Sequence, residues 1–254
     1  MRNSHNTTGT ISVFWAWRKG LSYGTIVIDL RRKRPIDLLG NRAESSFRSW
    51  MYNHNRVGLV SRDRSTAYSS AIRSIDRPII EIADKFHLIK NMSECFTKLI
   101  GEHYSDYRNA IRGSQVVKDE LMYNELKDFK PIKKEVETRF QLVPIKLLSS
   151  MVTRTIFSKK RNSEDEQLIE LMSRFTWFNQ MYEASNAFYE LITGNDPVAL
   201  IRWMRKFWKT KVNTLKAFIT GIKTDFKAVR NTIKYNVTNG ITEGFVNKLK
   251  VIRE

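Results

Sequence analysis

The sequence predicts an α/β protein, on three observations. Short β-rich runs crowd the N-terminal third. Apolar residues then recur at helical spacing through the middle. Two acidic residues, Asp63 and Asp84, each stand just past an apolar, strand-like run. With 254 residues and 41% hydrophobic content, the chain can bury a real core, as one large domain or as a domain carrying an inserted lobe.

The elements follow in order. Thr10 to Trp17 is β-rich and reads as the opening strand, Lys19-Gly20-Leu21-Ser22 as a turn, and Tyr23 to Asp29 as a second strand. Arg31 to Arg34 forms the next turn, a solvated one, and Pro35 to Leu39 a short third strand. Ala43 to Tyr52 sets Phe47, Trp50 and Met51 at helical spacing. A strand over Val57-Gly58-Leu59-Val60, a helix over Thr66 to Ile75 and a strand over Pro78 to Ala83 come next. Three meander strands, then helix, strand, helix and strand, is the element order of a ribonuclease-H-like mixed sheet. From His87 to Thr232 the signal is almost wholly helical, as in Leu168, Leu171, Met172 and Phe175. Pro131, Pro144 and Pro197 punctuate that run, and the charged stretch Ser158 to Glu166 reads as an exposed connection. No internal repeat is present.

Charge narrows the partner. Lys and Arg total 44 against 26 Asp and Glu, a formal charge of +18. Clustered cations gain affinity for a polyanion by releasing condensed counterions, so nucleic acid is the expected partner. The blander alternatives are a soluble basic protein or one that meets a membrane surface. The segment Arg202 to Lys211 interleaves cations with Trp203, Phe207 and Trp208. It reads as an amphipathic helix with core aromatics and a solvated basic face, or as a contact to DNA backbone. Cys95 is the single cysteine, which excludes a disulfide framework and a cysteine-rich zinc site. A packing thiol is expected there, and the usage suits a reducing cytoplasm. No apolar run is long enough to span a bilayer, and MRNSHNTTGT lacks the apolar core of a signal peptide.

Chemistry is expected from the carboxylates. Catalytic groups collect at the carboxyl ends of strands in an open sheet, where Asp63 and Asp84 fall. Asp63 could instead form an Asx turn ahead of the Thr66 helix. Asp84 is placed to cap a helix starting near Lys85, its side chain reaching the His87 N–H. Near the C-terminus, Glu243, Asn247 and Lys250 share one helical face while Phe245, Leu249 and Ile252 share another. The ordinary alternative is that Thr242 is an N-cap and Glu243 simply favours the helix N-terminus.

Two blocks carry a resemblance. Asp63, Ser65 and Tyr68 fit Asp-x-Ser-x-x-Tyr; Pro78 follows; Asp84, Phe86, His87 and Asn91 fit Asp-x-Phe-His-x-x-x-Asn. Asn239-Gly240, Glu243-Gly244 and Asn247-Lys248-Leu249-Lys250 make the second block. In this order they resemble the transposases of the ISL-three family of bacterial insertion sequences. The resemblance implies a ribonuclease-H-like core over residues 10–91, an all-helical insertion over 92–237, and a final core helix over 238–254 carrying the catalytic Glu243. It implies metal-dependent DNA strand cleavage and transfer, with two Asp and one Glu holding a pair of divalent ions. Those ions are normally Mg2+, with Mn2+ as a substitute. Asp63 and Glu243 are then catalytic and metal-ligating, while Asp84, His87, Asn247 and Lys250 serve as site architecture or DNA contacts. Zinc is disfavoured, because no further ligand set accompanies His87. The implied partners are element-end and target DNA, with homo-oligomerisation left open and no membrane.

The sequence also departs from that pattern. Where the family reads Asp-Asp-Phe-Ala-x-x-Lys-Gly, this chain has Val13-Phe14-Trp15-Ala16-Trp17-Arg18-Lys19-Gly20. Val13 and Phe14 stand in the places of the two acids. Asp29 is a poor substitute, since the end of an antiparallel second strand lies opposite the beginning of the first. Family members usually start with a cysteine-bearing zinc segment and a helix-turn-helix and continue into a basic tail. The expectation is therefore a truncated or decayed catalytic core. The alternative to an active enzyme is a catalytically inactive, DNA-binding remnant; an unrelated basic scaffold or RNA-binding protein is the third reading.

Overall fold

The computed structural model describes residues 8–18, 22–112, 142–157 and 162–237. The expected Lys19-Gly20-Leu21 turn, Pro131, the Ser158 to Arg161 part of the charged connection and the whole Asn239 to Lys250 block lie outside the described residues, as do the side chains of Val13 and Phe14.

A single five-stranded sheet organises the N-terminal region. Its strands are β1 (Thr8–Arg18), β2 (Ser22–Asp29), β3 (Arg34–Leu39), β4 (Val57–Arg62) and β5 (Ile80–Ala83), in spatial order β3-β2-β1-β4-β5. β1, β2 and β3 form an antiparallel meander, and β4 and β5 add on in parallel. Parallel neighbours need crossovers, supplied by α1 (Glu44–Asn53) and α2 (Thr66–Arg73). The expected mixed α/β class is the one observed.

Burial explains the patterns of β2 and β3. Residues Gly24 to Asp29 of β2 are all buried, as suits an interior strand. β3 is one of the two edge strands and mostly exposed; Pro35 and the charged Arg34 and Asp37 blunt its open side. The turn between β2 and β3 passes through Lys33 at φ 56°. The Asp29 carboxylate holds this turn by accepting from the Arg31 and Arg32 amides at 2.9 and 3.0 Å.

α1 and α2 pack on one face through Phe47, Trp50, Met51, Tyr68, Ala71 and Ile72, which close over Val27, Val57 and Val60. Phe47 meets Tyr68 edge-on at 5.1 Å, and the Tyr68 hydroxyl bonds Thr25. Arg77 then ties the crossover down: its guanidinium donates to the carbonyls of Val57, Met51 and His54. Removing a donor shared by three carbonyls is costly, though partial exposure lets water replace some of it. Arg77→Ala should therefore lower stability by ~1–2 kcal/mol, read from the urea unfolding midpoint.

Helices dominate the rest. They are α3 (Lys85–Glu102), α4 (residues 104–112), α5 (Ile145–Phe157), α6 (Ser163–Met172), α7 (Thr176–Thr193), α8 (Ala199–Phe207), α9 (Asn213–Thr224) and α10 (Phe226–Tyr235). The exposed connection expected up to Glu166 gives way to helix at Ser163. Asn162 and Asp165 form a capping box there, and buried Asp165 pairs with Arg154, so what looked like a solvated charge run is a helix start.

The chain divides into two compact units. One comprises Met1–Asn91, Phe188–Lys209 and Phe218–Glu254; the other comprises Met92–Ala187 and Thr210–Ala217. In the first, α10 docks on β5: Thr232 Oγ1 donates to the Ala83 carbonyl at 2.6 Å and Asn231 Nδ2 to that of Glu81 at 2.9 Å. α8 sets Trp203 inward against Phe188 and Phe218, with Phe207 packed on Trp203, as the core-aromatic reading of this segment expects. The second unit is helical over its described residues, with Phe96 against Phe178. Cys95 is half-buried in it, and burial pushes its thiol up to about 11, which suits packing rather than reactivity.

Candidate active site

β4 and β5 run parallel with Arg62 opposite Ala83. The next residue on each strand is acidic, so Asp63 and Asp84 stand level at adjacent carboxyl ends. Both are buried, at 6% and 5% exposure. They are also stitched together, because the Asp84 amide donates to the Arg62 carbonyl at 2.7 Å.

Each carboxylate organises its own loop. Asp63 Oδ1 accepts from the Ser65 amide at 3.0 Å, so the Asx turn expected as an alternative role is present. Asp84 Oδ1 accepts from the Phe86 amide at 2.8 Å. The expected cap on the His87 amide is thus met one residue earlier, since the tighter Asx geometry closes on the second N–H of α3, that of Phe86. His87 is half-buried on that first turn, its ring edge-on to the exposed Phe86 at 5.5 Å.

Asp63 is held in an unfavourable environment for charge. Burial is the main cause that pushes its carboxyl up to about 7, and the neighbouring Asp84 adds to it. The Ser65 amide, Arg62 and Arg42 oppose the shift without cancelling it.

Beneath these acids lies a cluster that sequence reasoning missed. Arg62 is 1% exposed. Its Nε donates to Glu81 Oε1 at 2.5 Å, and its terminal nitrogens reach Asp225 at 2.6 and 3.2 Å. One of those nitrogens also donates to the Asp63 carbonyl at 2.7 Å. Burial works against the charge of Arg62, but Asp225 and Glu81 outweigh it and raise its pKa. A signal for this cluster existed: an arginine and a glutamate within apolar strand runs, where a buried charge demands a partner. Nothing marked Asp225, at the corner between α9 and α10, as that partner.

The sheet register also locates the two departures. Ser12 of β1 pairs with Arg62, so Val13 is the β1 residue level with Asp63. Asp29 pairs with Thr10, which in turn pairs with Val60, three positions back along β4. Its carboxylate is also committed to the β2–β3 turn, so Asp29 does not join Asp63.

Mg2+ takes hard oxygen donors with retained waters, and the adjoining Asp63 and Asp84 are donors of that kind. Among the described residues, however, no group of three or more His, Cys, Asp or Glu side chains could hold a metal ion. Glu243, Asn247 and Lys250 lie outside the described residues. The donors present fit part of a divalent-ion site.

Among the described residues, no helix is long and apolar enough to cross a membrane. Arg31 to Arg34 are exposed, as expected for a solvated turn. Around α8, Arg202, Arg205, Lys206 and Lys209 are exposed, and so is Trp208.

No curated protein and no solved structure matches this chain. A family model does: that of the ISL3-type DDE transposases, described as transposase, matches residues 15–254. The match opens at Trp15, just past Val13 and Phe14, and takes in both acidic strand ends. On that coverage, the chain belongs to the ISL3 family of DDE transposases.

Proposed function

We propose that this chain carries the catalytic core of an insertion-sequence transposase that cleaves and joins DNA strands on a ribonuclease-H-like sheet. The observation that supports it best is the buried, level pair Asp63 and Asp84 at the carboxyl ends of two parallel strands. The strand order β3-β2-β1-β4-β5 supports the fold assignment. Asp63 and Glu243 are assigned as the catalytic carboxylates and as ligands for divalent metal, Mg2+ with Mn2+ as a substitute. When bound, such ions activate the attacking oxygen and stabilise the leaving oxygen of an in-line displacement at phosphorus.

The chain's own residues prepare that chemistry. Arg62 fixes the Asp63 backbone through its carbonyl, and the Ser65 amide fixes one carboxylate oxygen. Asp84 holds the start of α3 and stands level with Asp63 at the adjoining strand end. His87, Asn247 and Lys250 are assigned to site architecture or DNA contact.

A second reading, an inactive DNA-binding remnant, is favoured by one specific observation. The β1 position level with Asp63 is Val13, followed by Phe14, and neither can ligate a metal. We therefore expect no nicking of a supercoiled plasmid bearing the element ends, with either Mg2+ or Mn2+. Phe14→Asp, alone and with Val13→Asp, should introduce metal-dependent nicking that Asp63→Ala abolishes. Nicking by the unaltered chain, lost on Asp63→Ala, would show that another residue supplies the missing carboxylate.

A further inference from the structure

The first compact unit carries a surface that the carboxylate site does not use. A shallow concavity of about 350 Å3 opens between α8 and the corner joining α9 to α10. Its floor is Ile201, Met204, Trp208 and Phe226, and its rim is Arg205, Lys209 and Lys223. Trp208 is 41% exposed and Ile201 37%, so the two together present apolar surface to solvent. Lys223 Nζ lies 5.5 Å from the centre of the Trp208 ring, so a cation already borders the aromatic face. Among the described residues, no carboxylate lines the concavity.

An apolar floor with a cationic rim selects its occupant. The rim repels a second copy of the same surface and attracts an anion. A duplex would offer phosphates to the rim but nothing to the floor, because its bases are stacked on one another. An unpaired strand offers both, with bases to lie on the indole and phosphates to meet the cations.

We propose that the concavity formed by Ile201, Met204, Trp208 and Phe226 is a stacking platform for unpaired DNA. It rests on the reading of this chain as a protein that handles DNA, but not on metal binding by Asp63 or Glu243. Trp208 supplies the stacking face, Met204 and Phe226 back it, and Arg205, Lys209 and Lys223 grip backbone without reading sequence. The platform suits strands that lose their partner when a duplex end is cut or opened.

The test uses the whole chain with two fluorescein-labelled probes, a 12-nucleotide oligodeoxythymidylate and a duplex of random sequence, each titrated at several KCl concentrations. Trp208→Ala should weaken oligodeoxythymidylate binding about tenfold and leave duplex binding within about twofold. Trp208→Phe should restore most of the loss, since a ring suffices for stacking. Lys209→Ala with Lys223→Ala should instead flatten the salt dependence of single-strand binding. An exposed side chain can be cut back without unfolding the chain, and the duplex titration verifies this. Duplex binding with single-strand affinity indifferent to Trp208→Ala would overturn the platform alone. Failure to bind either probe would overturn both the platform and the DNA-handling reading beneath it.

Discussion

Replacing Arg62 by methionine should destabilise the fold by ~3–5 kcal/mol, among the largest losses expected from a single substitution here. The volume is roughly kept, so the cost is electrostatic. Glu81 and Asp225 would keep their charges in the interior with their principal cation gone, and the Asp63 carbonyl would lose a donor. Removing one partner of a buried ion cluster costs far more than the intact cluster contributes, because the orphaned charge cannot return to water. Two controls separate charge from packing. Arg62→Met combined with Asp225→Asn should recover part of the loss, since one orphan is then neutral. Arg62→Lys should recover little, because a point charge cannot serve Glu81, Asp225 and the carbonyl together. Urea unfolding at neutral pH measures all three. A change below about 1 kcal/mol for Arg62→Met would mean the cluster is not closed as described.

Asp63→Asn should have the opposite sign. Its carboxyl is pushed up to about 7 in the folded chain, against an ordinary value of 3.8. Between those values the folded chain holds a proton that the unfolded chain has released. Stability therefore falls as pH climbs from about 4 to about 7, and the full penalty stands above that range. Asparagine is nearly isosteric, keeps an oxygen for the Ser65 amide and carries no charge. In EDTA, Asp63→Asn should be about as stable as the parent near pH 4 and more stable by ~2–4 kcal/mol at pH 8. Urea midpoints at the two pH values decide it, and a difference that does not change with pH would sink the prediction. The gain would cost the site its carboxylate, the trade expected where function requires a strained charge.

Much of the sheet was legible because its signals are local. The β4 and β5 runs are short, apolar and closed by an acid, and the helix between them, α2, sets Tyr68, Ala71 and Ile72 three and four residues apart. Those same signals exposed Asp63 and Asp84. What stayed hidden depends on contacts distant in sequence or on geometry within a turn. Arg62 and Glu81 carry charge in otherwise apolar strands, but their shared partner Asp225 sits in a corner with no periodic signature. The Asp84 cap fell on Phe86 rather than His87, because a carboxylate two residues before an amide closes a tighter loop than one three residues before it. Ser158 to Glu166 read as solvated charge, yet Asp165 turns inward to cap α6 and meet Arg154. Resemblance supplied Glu243, which lies outside the described residues; periodicity alone placed it only on a helical face.

Asp225 follows Arg62 by 163 residues. Both belong to the same compact unit, which is assembled from three separate stretches of chain. At roughly 5–20 residues per second of synthesis, the arginine waits on the order of 10–30 s for its second carboxylate to leave the ribosome. During that interval the strands can pair and α1 and α2 can settle, but the charge at the end of β4 is only half answered. The N-terminal sheet is therefore not a module that ripens first and then receives additions. It reaches its final state only when the α9–α10 corner arrives, so a message cut short before that corner yields a nascent chain that chaperones and proteases can distinguish from a finished one.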